Sequence, residues 1–192
     1  ISVNLQPTPH ALLEGSEEIV LSAPKFIEHQ CDEITLAYSP QSFMQTNSSV
    51  AGALYQTAVE WLEPWRNGKV LDLFCGVGGF SFHLSKAGHE CFGIEINSSA
   101  IELAQLMAKK QNLKAQFLAS KAEDVKQNWI EWSPKIVIAN PPRRGLSSTN
   151  EDLCTLLPEV FLYSSCSIES LENDLKRLEN QYCATRTKVF DM

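Results

Sequence analysis

The sequence predicts an α/β fold: a mostly parallel sheet with helices on both faces, preceded by a small N-terminal β extension. Three observations predict it. From Asn47 onward short apolar runs alternate with helical patterns, the pattern of a parallel sheet covered on both faces. One of those runs, Val70–Phe74, passes directly into glycines that open the next helix. Before residue 46 the chain instead reads as short extended runs broken by prolines. The expected organisation is residues 1–45 as β extension and linker, and residues 46–192 as one α/β domain.

In the extension, Ile1–Leu5 reads as a strand, Pro7–Pro9 breaks it, and Glu17–Leu21 and Ile34–Tyr38 read as extended. Ser39-Pro40 marks the change to a new element. Val50, Ala51, Leu54, Ala58 and Trp61–Leu62 then recur at helical spacing; Asn47 or Ser48 caps the start, and Pro64 and Gly68 end the helix. Further strands are expected at Val70–Phe74, Cys91–Ile96, Ala115–Leu118, Ile136–Ala139 and Val160–Tyr163. Helices are expected at Gly78–Ala87, Ser98–Gln111 and Ile168–Asn180, and Thr185–Phe190 begins a last strand. There is no internal repeat and no low-complexity tract.

The chain of 192 residues is long enough for one sizeable domain with its own core. No apolar run approaches the roughly 20 residues that span a bilayer, and the start lacks a signal-peptide pattern, so no membrane partner is expected. The first residue is Ile1, so the natural start is expected upstream. Cys31, Cys75, Cys91, Cys154, Cys166 and Cys183 are scattered without a C-x-x-C pair. Neither a metal nor an iron–sulfur site is therefore expected in this segment, and the thiols fit a reducing cytoplasm. The net charge of −7 is uneven. Residues 1–40 hold six acids against Lys25 alone and so carry −5 of it. An acidic total argues against strong non-specific binding of nucleic acid by this segment alone.

The sharpest local signal is Leu71-Asp72-Leu73-Phe74-Cys75-Gly76-Val77-Gly78-Gly79-Phe80. Glycines let the backbone turn sharply and approach a ligand closely. Their spacing is not the G-x-G-x-x-G that wraps a dinucleotide pyrophosphate. An early carboxylate at Asp72 suits a ligand bearing ammonium or sulfonium charge, which favours S-adenosylmethionine (SAM) over a nicotinamide cofactor; taken alone, Asp72 is more often a residue that orients the turn. Glu95, 23 residues beyond Asp72 at the end of an apolar strand, stands where an acid accepts hydrogen bonds from ribose hydroxyls. Asp72, Gly76, Gly78 and Glu95 are thus candidate cofactor contacts in a Rossmann-like fold.

The run Ile136-Val137-Ile138-Ala139-Asn140-Pro141-Pro142-Arg143-Arg144-Gly145 delivers Asn140 to the carboxyl edge of the sheet, where ligands bind in open α/β folds. Arg143 and Arg144 offer planar forks suited to phosphate or a base edge. Val160–Tyr163 runs into Ser164-Ser165-Cys166-Ser167, setting Cys166 at a strand end before a helix. A helix N-terminus favours the thiolate, which makes Cys166 a candidate nucleophile.

These blocks, with Ser39-Pro40-Gln41-Ser42-Phe43-Met44-Gln45-Thr46-Asn47 upstream, resemble in order and spacing the signature blocks of the bacterial RNA uracil-C5-methyltransferases. The Asn-Pro-Pro-Arg-Arg-Gly and Gln45-Thr46-Asn47 forms resemble most the branch acting on uracil 747 of 23S rRNA. The resemblance implies a class I methyltransferase fold, SAM as cofactor and 23S rRNA as partner, with no protein partner inferred. It also implies SAM contacts from Gln45, Phe74, Glu95 and Asn140, and Cys166 as the nucleophile that adds to uracil C6. In the family the general base is a glutamate in a Phe-Pro-x-Thr-x-His-x-Glu block; the chain stops at Phe190-Asp191-Met192, where that block begins. The resemblance implies that the branch's iron–sulfur cysteines lie in an N-terminal region, which is expected upstream of this segment. The expectation is a segment that binds SAM but turns over poorly.

Two rival readings compete. Amino-methyltransferases also carry Asn-Pro-Pro, but an aromatic residue normally follows to stack on the target; here Arg143 follows, and Cys166 would be idle. A non-catalytic SAM-fold module is the other, because a fold does not fix a function. Trp61, Trp65, Trp129 and Trp132 read as packing residues. His10, His29, His83 and His89 form no ligand or triad spacing, and His83 is expected to be solvated on the helix after the glycine turn.

Overall fold

The computed structural model describes residues 1–7, 15 and 17–191; Pro9 and His10 lie outside the described residues. Two hairpins come first. β1 (Ser2–Leu5) pairs antiparallel with β2 (Glu17–Val20), and β3 (Ile27–Cys31) with β4 (Ile34–Tyr38). Helix α1 (Ser48–Leu62) follows, its first turn capped by the Asn47 side chain, which accepts from Val50 N–H.

Then β5 (Lys69–Leu73), α2 (Gly79–Lys86), β6 (Glu90–Glu95), α3 (Ser98–Lys110), β7 (Ala115–Ala119) and α4 (Lys126–Trp132) alternate. β8 (Ile136–Ala139), α5 (Thr149–Leu156), β9 (Val160–Tyr163) and α6 (Ile168–Leu178) complete the chain. Strands β5 to β9 form one parallel sheet in the order β7-β6-β5-β8-β9. This is a Rossmann-like arrangement.

Side-chain alternation along the strands splits the core in two. Val70, Cys91, Ile136 and Ile138 face one layer, which holds α1, α2, α3 and the β3–β4 hairpin. Leu71, Leu73, Ile94, Val137 and Ala139 face the other, filled by Trp129, Leu146, Leu153 and Leu178. A strand buried on both faces reads as a continuous apolar run, which is why these strands were legible. The outer hairpin is bound to the body through a side chain that imitates a strand: Gln111 accepts from Thr35 N–H at 2.8 Å and donates to Thr35 C=O at 2.8 Å.

Three elements escape the sequence pattern. β3 carries Glu28 and Gln30 among its five residues and shows no apolar alternation; it exists because β4 pairs with it. Helices α4 and α5 have seven and eight residues, too short for a clear helical period. Two expectations are corrected. Thr185–Phe190 is not a strand: among the described residues nothing pairs with it, and it runs exposed, with Lys188 donating to Thr57 Oγ1 at 2.9 Å. His83 is buried rather than solvated, because Tyr55 of α1 stacks on it at 4.8 Å and its Nδ1 bonds the Gly79 carbonyl at 2.7 Å.

Gly93 of β6 brings the sheet close to the turn after β5. A Cβ there would lie 2.5 Å from the Phe117 ring and 2.8 Å from Cys75 Sγ. Gly93→Ala is expected to destabilise the fold by about 1–3 kcal/mol, read as a lowered urea midpoint; a midpoint equal to the parent's would show that Phe117 gives way freely.

Candidate active site

The chain runs outward from β5 through β6 to β7, then crosses back to β8 on the other side of β5. Such a switch point opens a crevice beyond the carboxyl ends of the two central strands. Every candidate on a strand end lies at that edge. Leu73, Ala139 and Tyr163 are in register across β5, β8 and β9. Phe74, Asn140 and Ser164 therefore leave the sheet side by side. Asn140 N–H donates to Leu73 C=O at 3.3 Å, and Ser164 N–H to Ala139 C=O at 2.9 Å.

The turn after β5 is built from positive-φ residues: Phe74 at 61°, Gly76 at 55° and Gly78 at 89°. Bonds from β6 hold it. Cys75 N–H donates to Ile94 C=O at 3.1 Å, and Gly76 N–H donates to Glu95 Oε2 at 3.2 Å. Glu95 Oε1 accepts from Asn97 N–H at 3.0 Å. A carboxylate has about four acceptor positions, so half-buried Glu95 keeps capacity for hydroxyl donors of a ligand. A Cβ on Gly76 would meet nothing within 4 Å, so the turn opens onto free space. On its other side the turn is tight, since a Cβ on Gly79 would lie 2.5 Å from the Tyr55 ring.

Asp72 lies beneath this turn and is fully buried. Its Oδ2 accepts from Ser81 Oγ at 2.6 Å and Ser81 N–H at 3.1 Å, which ties β5 to α2. Its Oδ1 is buried without a hydrogen-bond partner among the described residues. Burial pushes the Asp72 carboxyl up to about 7; the Ser81 bonds oppose the rise and the Glu95 charge adds to it.

Gln45 stands half-buried between β4 and α1. Its segment is drawn to the start of α3, where Asn97 Nδ2 donates to Gln41 C=O at 3.2 Å and the Ser39 and Ser99 hydroxyls meet at 3.3 Å. Gln45 follows Gln41 by four residues on this segment.

Cys166 is exposed, one residue before Ser167, which caps α6 by accepting from Ser170 N–H at 3.4 Å. The turn around it is clamped by Ser165 Oγ, which donates to Ser167 C=O at 2.9 Å and accepts from Ser167 N–H at 3.1 Å. Arg143 and Arg144 are exposed and rim an open cleft of about 900 Å³ with Ser167, Asp174, Lys176 and Arg177. The cleft lies beside the Cys166 turn rather than over the glycine turn. Neither Arg143, Arg144 nor Arg177 has a carboxylate within salt-bridge distance among the described residues.

Sequence reasoning missed Ser81, Asn97 and Asp174. Asp174 sits among Glu172, Lys176 and Arg177 and reads as part of a solvated helix face. The available signal was spacing: Leu171, Asp174 and Leu178 share the inward stripe of α6.

Fold and edge chemistry together define a methyltransferase domain of the SAM-dependent class. A family model for tRNA (Uracil-5-)-methyltransferase matches residues 27–192. The 23S rRNA (uracil(747)-C(5))-methyltransferase RlmC of Pectobacterium carotovorum is 41% identical over 205 residues, covering 100% of this chain and 51% of the relative. The Shewanella sp. (strain MR-4) protein of the same name is also 41% identical and is covered to 50% of its length. The crystal structure of Pyrococcus abyssi tRNA (uracil-54, C5)-methyltransferase in complex with S-adenosyl-L-homocysteine superposes with a TM-score of 0.74 and 29% identity, over 91% of this chain and 42% of that one. The chain belongs to the RNA uracil-C5-methyltransferase family. It spans about half the length of the curated relatives it matches.

The ionisation of Asp72 carries a testable consequence. An acid whose folded value is raised holds its proton where the unfolded chain, near 3.9, has released it. Its contribution to stability is therefore present at low pH and lost as pH rises from about 4 to about 7. Asp72→Asn copies the protonated form and does not titrate. The stability of the parent relative to Asp72→Asn, from urea midpoints, is expected to fall across that window; a flat difference would show that Asp72 ionises normally.

Proposed function

We propose that this chain is the catalytic part of an enzyme that transfers a methyl group from SAM to C5 of a uridine in 23S rRNA. The carrying observation is the register of Leu73, Ala139 and Tyr163, which sets the glycine turn, Asn140 and the Cys166 turn at neighbouring strand ends. Residues 1–45 are taken as a β extension whose second hairpin packs into the core, and residues 46–192 as the catalytic domain.

The residues fit the cofactor. The open space above Gly76 admits a ligand against backbone, and Glu95 has spare acceptor positions for ribose hydroxyls. Gln45, Phe74, Gly78 and Asn140 complete the contact set, and Asp72 supports the turn from below while adding negative charge near a cationic ligand. SAM, when bound, supplies an electrophilic methyl group.

Uracil C5 is a poor nucleophile. The Cys166 thiolate forms a bond to C6, and the C5=C6 electron pair moves toward C5 and the O4 carbonyl. C5 is then nucleophilic and takes the methyl group, leaving S-adenosylhomocysteine. A base takes the C5 proton, the C–H pair re-forms C5=C6, and the sulfur–C6 bond breaks to release the thiolate. The target base must leave its stack to reach a thiol at the sheet edge. Arg143 and Arg144, free of carboxylate partners, are suited to RNA phosphates beside it. The free thiols are in keeping with work in the cytoplasm.

The test is a 23S rRNA hairpin around uracil 747 with 5-fluorouridine at the target, incubated with SAM and the protein. Fluorine at C5 blocks the proton-removal step, so the adduct persists. Mass spectrometry is expected to find a methylated RNA adduct on Cys166, and none with Cys166→Ala. Methyl transfer surviving in Cys166→Ala would overturn the covalent route in favour of an amino-methyltransferase. Glu95→Ala is expected to weaken SAM binding about 10- to 100-fold, as for a lost hydrogen bond to a charged group, measured by calorimetry; unchanged affinity would remove Glu95 from the cofactor site.

A further inference from the structure

Outside the cofactor crevice, the most heavily bonded buried charge is Asp174 of α6. It is 3% exposed. Its carboxylate accepts from three elements: Oδ2 from Leu146 N–H at 2.8 Å and Tyr163 Oη–H at 2.7 Å, and Oδ1 from Asn150 Nδ2 at 2.6 Å. No cation pairs with it among the described residues. A buried charge without a counter-ion persists only where hydrogen bonds replace its hydration. The backbone makes room for it: Gly145 has φ 79°, and a Cβ there would lie 2.5 Å from Asp174 Oδ2.

The three donors are not arbitrary. Leu146 closes the Asn140–Gly145 loop, which carries Asn140, Arg143 and Arg144. Tyr163 is the last residue of β9, three before Cys166. Asn150 lies in the first turn of α5, part of the connection between them. Both halves leave the sheet side by side, but beyond Ser164 no ladder bond joins them among the described residues, and the Asp174 carboxylate bonds to both.

We propose that Asp174 is a positioning residue, fixing the Asn140–Gly145 loop relative to the Cys166 turn so that thiol, target base and methyl donor align. The inference rests on the reading of Cys166 as nucleophile. Asp174 touches no reacting atom in this account; it sets the separation of groups that do. A displacement near 1 Å in such an arrangement costs on the order of 100-fold in rate.

Asp174→Asn keeps the volume but removes the charge shared by the Leu146 and Tyr163 donors. It also replaces one acceptor oxygen by an amide nitrogen, which faces Asn150 Nδ2 as donor against donor unless the Asn150 amide turns over. Tyr163→Phe removes a single donor and leaves the carboxylate satisfied twice. The readout is the single-turnover rate of adduct formation on the 5-fluorouridine hairpin at saturating SAM and excess protein. S-adenosylhomocysteine affinity and melting temperature are recorded alongside.

The expected result is a rate lowered on the order of 100-fold in Asp174→Asn and roughly tenfold in Tyr163→Phe, with cofactor affinity within about threefold of the parent. The double variant should lose less than the product of the two, because both act through one bond network. A purely structural role would lower the melting temperature and leave the rate unchanged at temperatures where the protein is folded, and that result would overturn the proposal. If Asp174→Asn does not fold, Tyr163→Phe decides alone: an undiminished rate overturns it. Absence of any adduct in the parent protein would overturn the Cys166 assignment and this inference with it, whereas a parent adduct with equally fast variants overturns only the inference.

Discussion

Strand β5 stops because Phe74 leaves the extended region at φ 61°, and the rest of the site is placed by that reversal. A non-glycine residue in this conformation costs about 1–2 kcal/mol, so the surroundings must over-determine it. They do so from two sides. From below, Asp72 ties the last residues of β5 to Ser81 in α2. From the side, Ile94 and Glu95 of β6 take the N–H groups of Cys75 and Gly76. The turn can therefore present bare backbone upward while β6 holds the N–H groups of Cys75 and Gly76.

The same bonds create an electrostatic bias. Asp72 and Glu95 stand close enough for the second to raise the first, and burial raises it further, to about 7. Packing two carboxylates beneath an open turn is unfavourable for an empty crevice and favourable for a cation within it. Whole-chain charge hides this arrangement. The −7 total is concentrated in residues 1–40, whereas the rim beside Cys166 carries Arg143, Arg144 and Arg177, which have no carboxylate within salt-bridge distance among the described residues. A chain that is acidic overall can thus offer a local surface suited to an anion.

How much of this was legible in the sequence follows from what each residue answers to. The central strands were legible because burial on both faces writes an uninterrupted apolar run, as in Val137–Ala139. The glycine turn was legible because few residues other than glycine tolerate Gly76 and Gly78 conformations. Hairpin partner β3 was not, since Glu28 and Gln30 obey pairing with β4 rather than any period of their own. Thr185–Phe190 failed for the converse reason: β-favouring residues make a strand only where a partner supplies the ladder. His83 failed because a polar residue on a short helix gives no sign that Tyr55, 28 positions earlier, covers it. The edge placement of Glu95, Asn140 and Cys166 was legible from strand ends, whereas Gln45 was named only through the family resemblance, and the bonds that orient these residues were not legible.

Those bonds follow one scheme used twice. Glu95 accepts from Gly76 N–H and fixes the loop after β5; Asp174 accepts from Leu146 N–H, next to Gly145, and fixes the loop after β8. In each case a glycine has positive φ, with Gly76 open toward a ligand and Gly145 closed against its carboxylate. A loop beyond a strand end has no ladder to hold it, and a carboxylate with several acceptor positions substitutes for one at a single point. The substitution is cooperative: desolvating the charge is offset only when all its donors are in place. Loops anchored this way hold one geometry or release as a unit, and the former is what the proposed reaction, with thiol, base and methyl group in fixed relation, would demand.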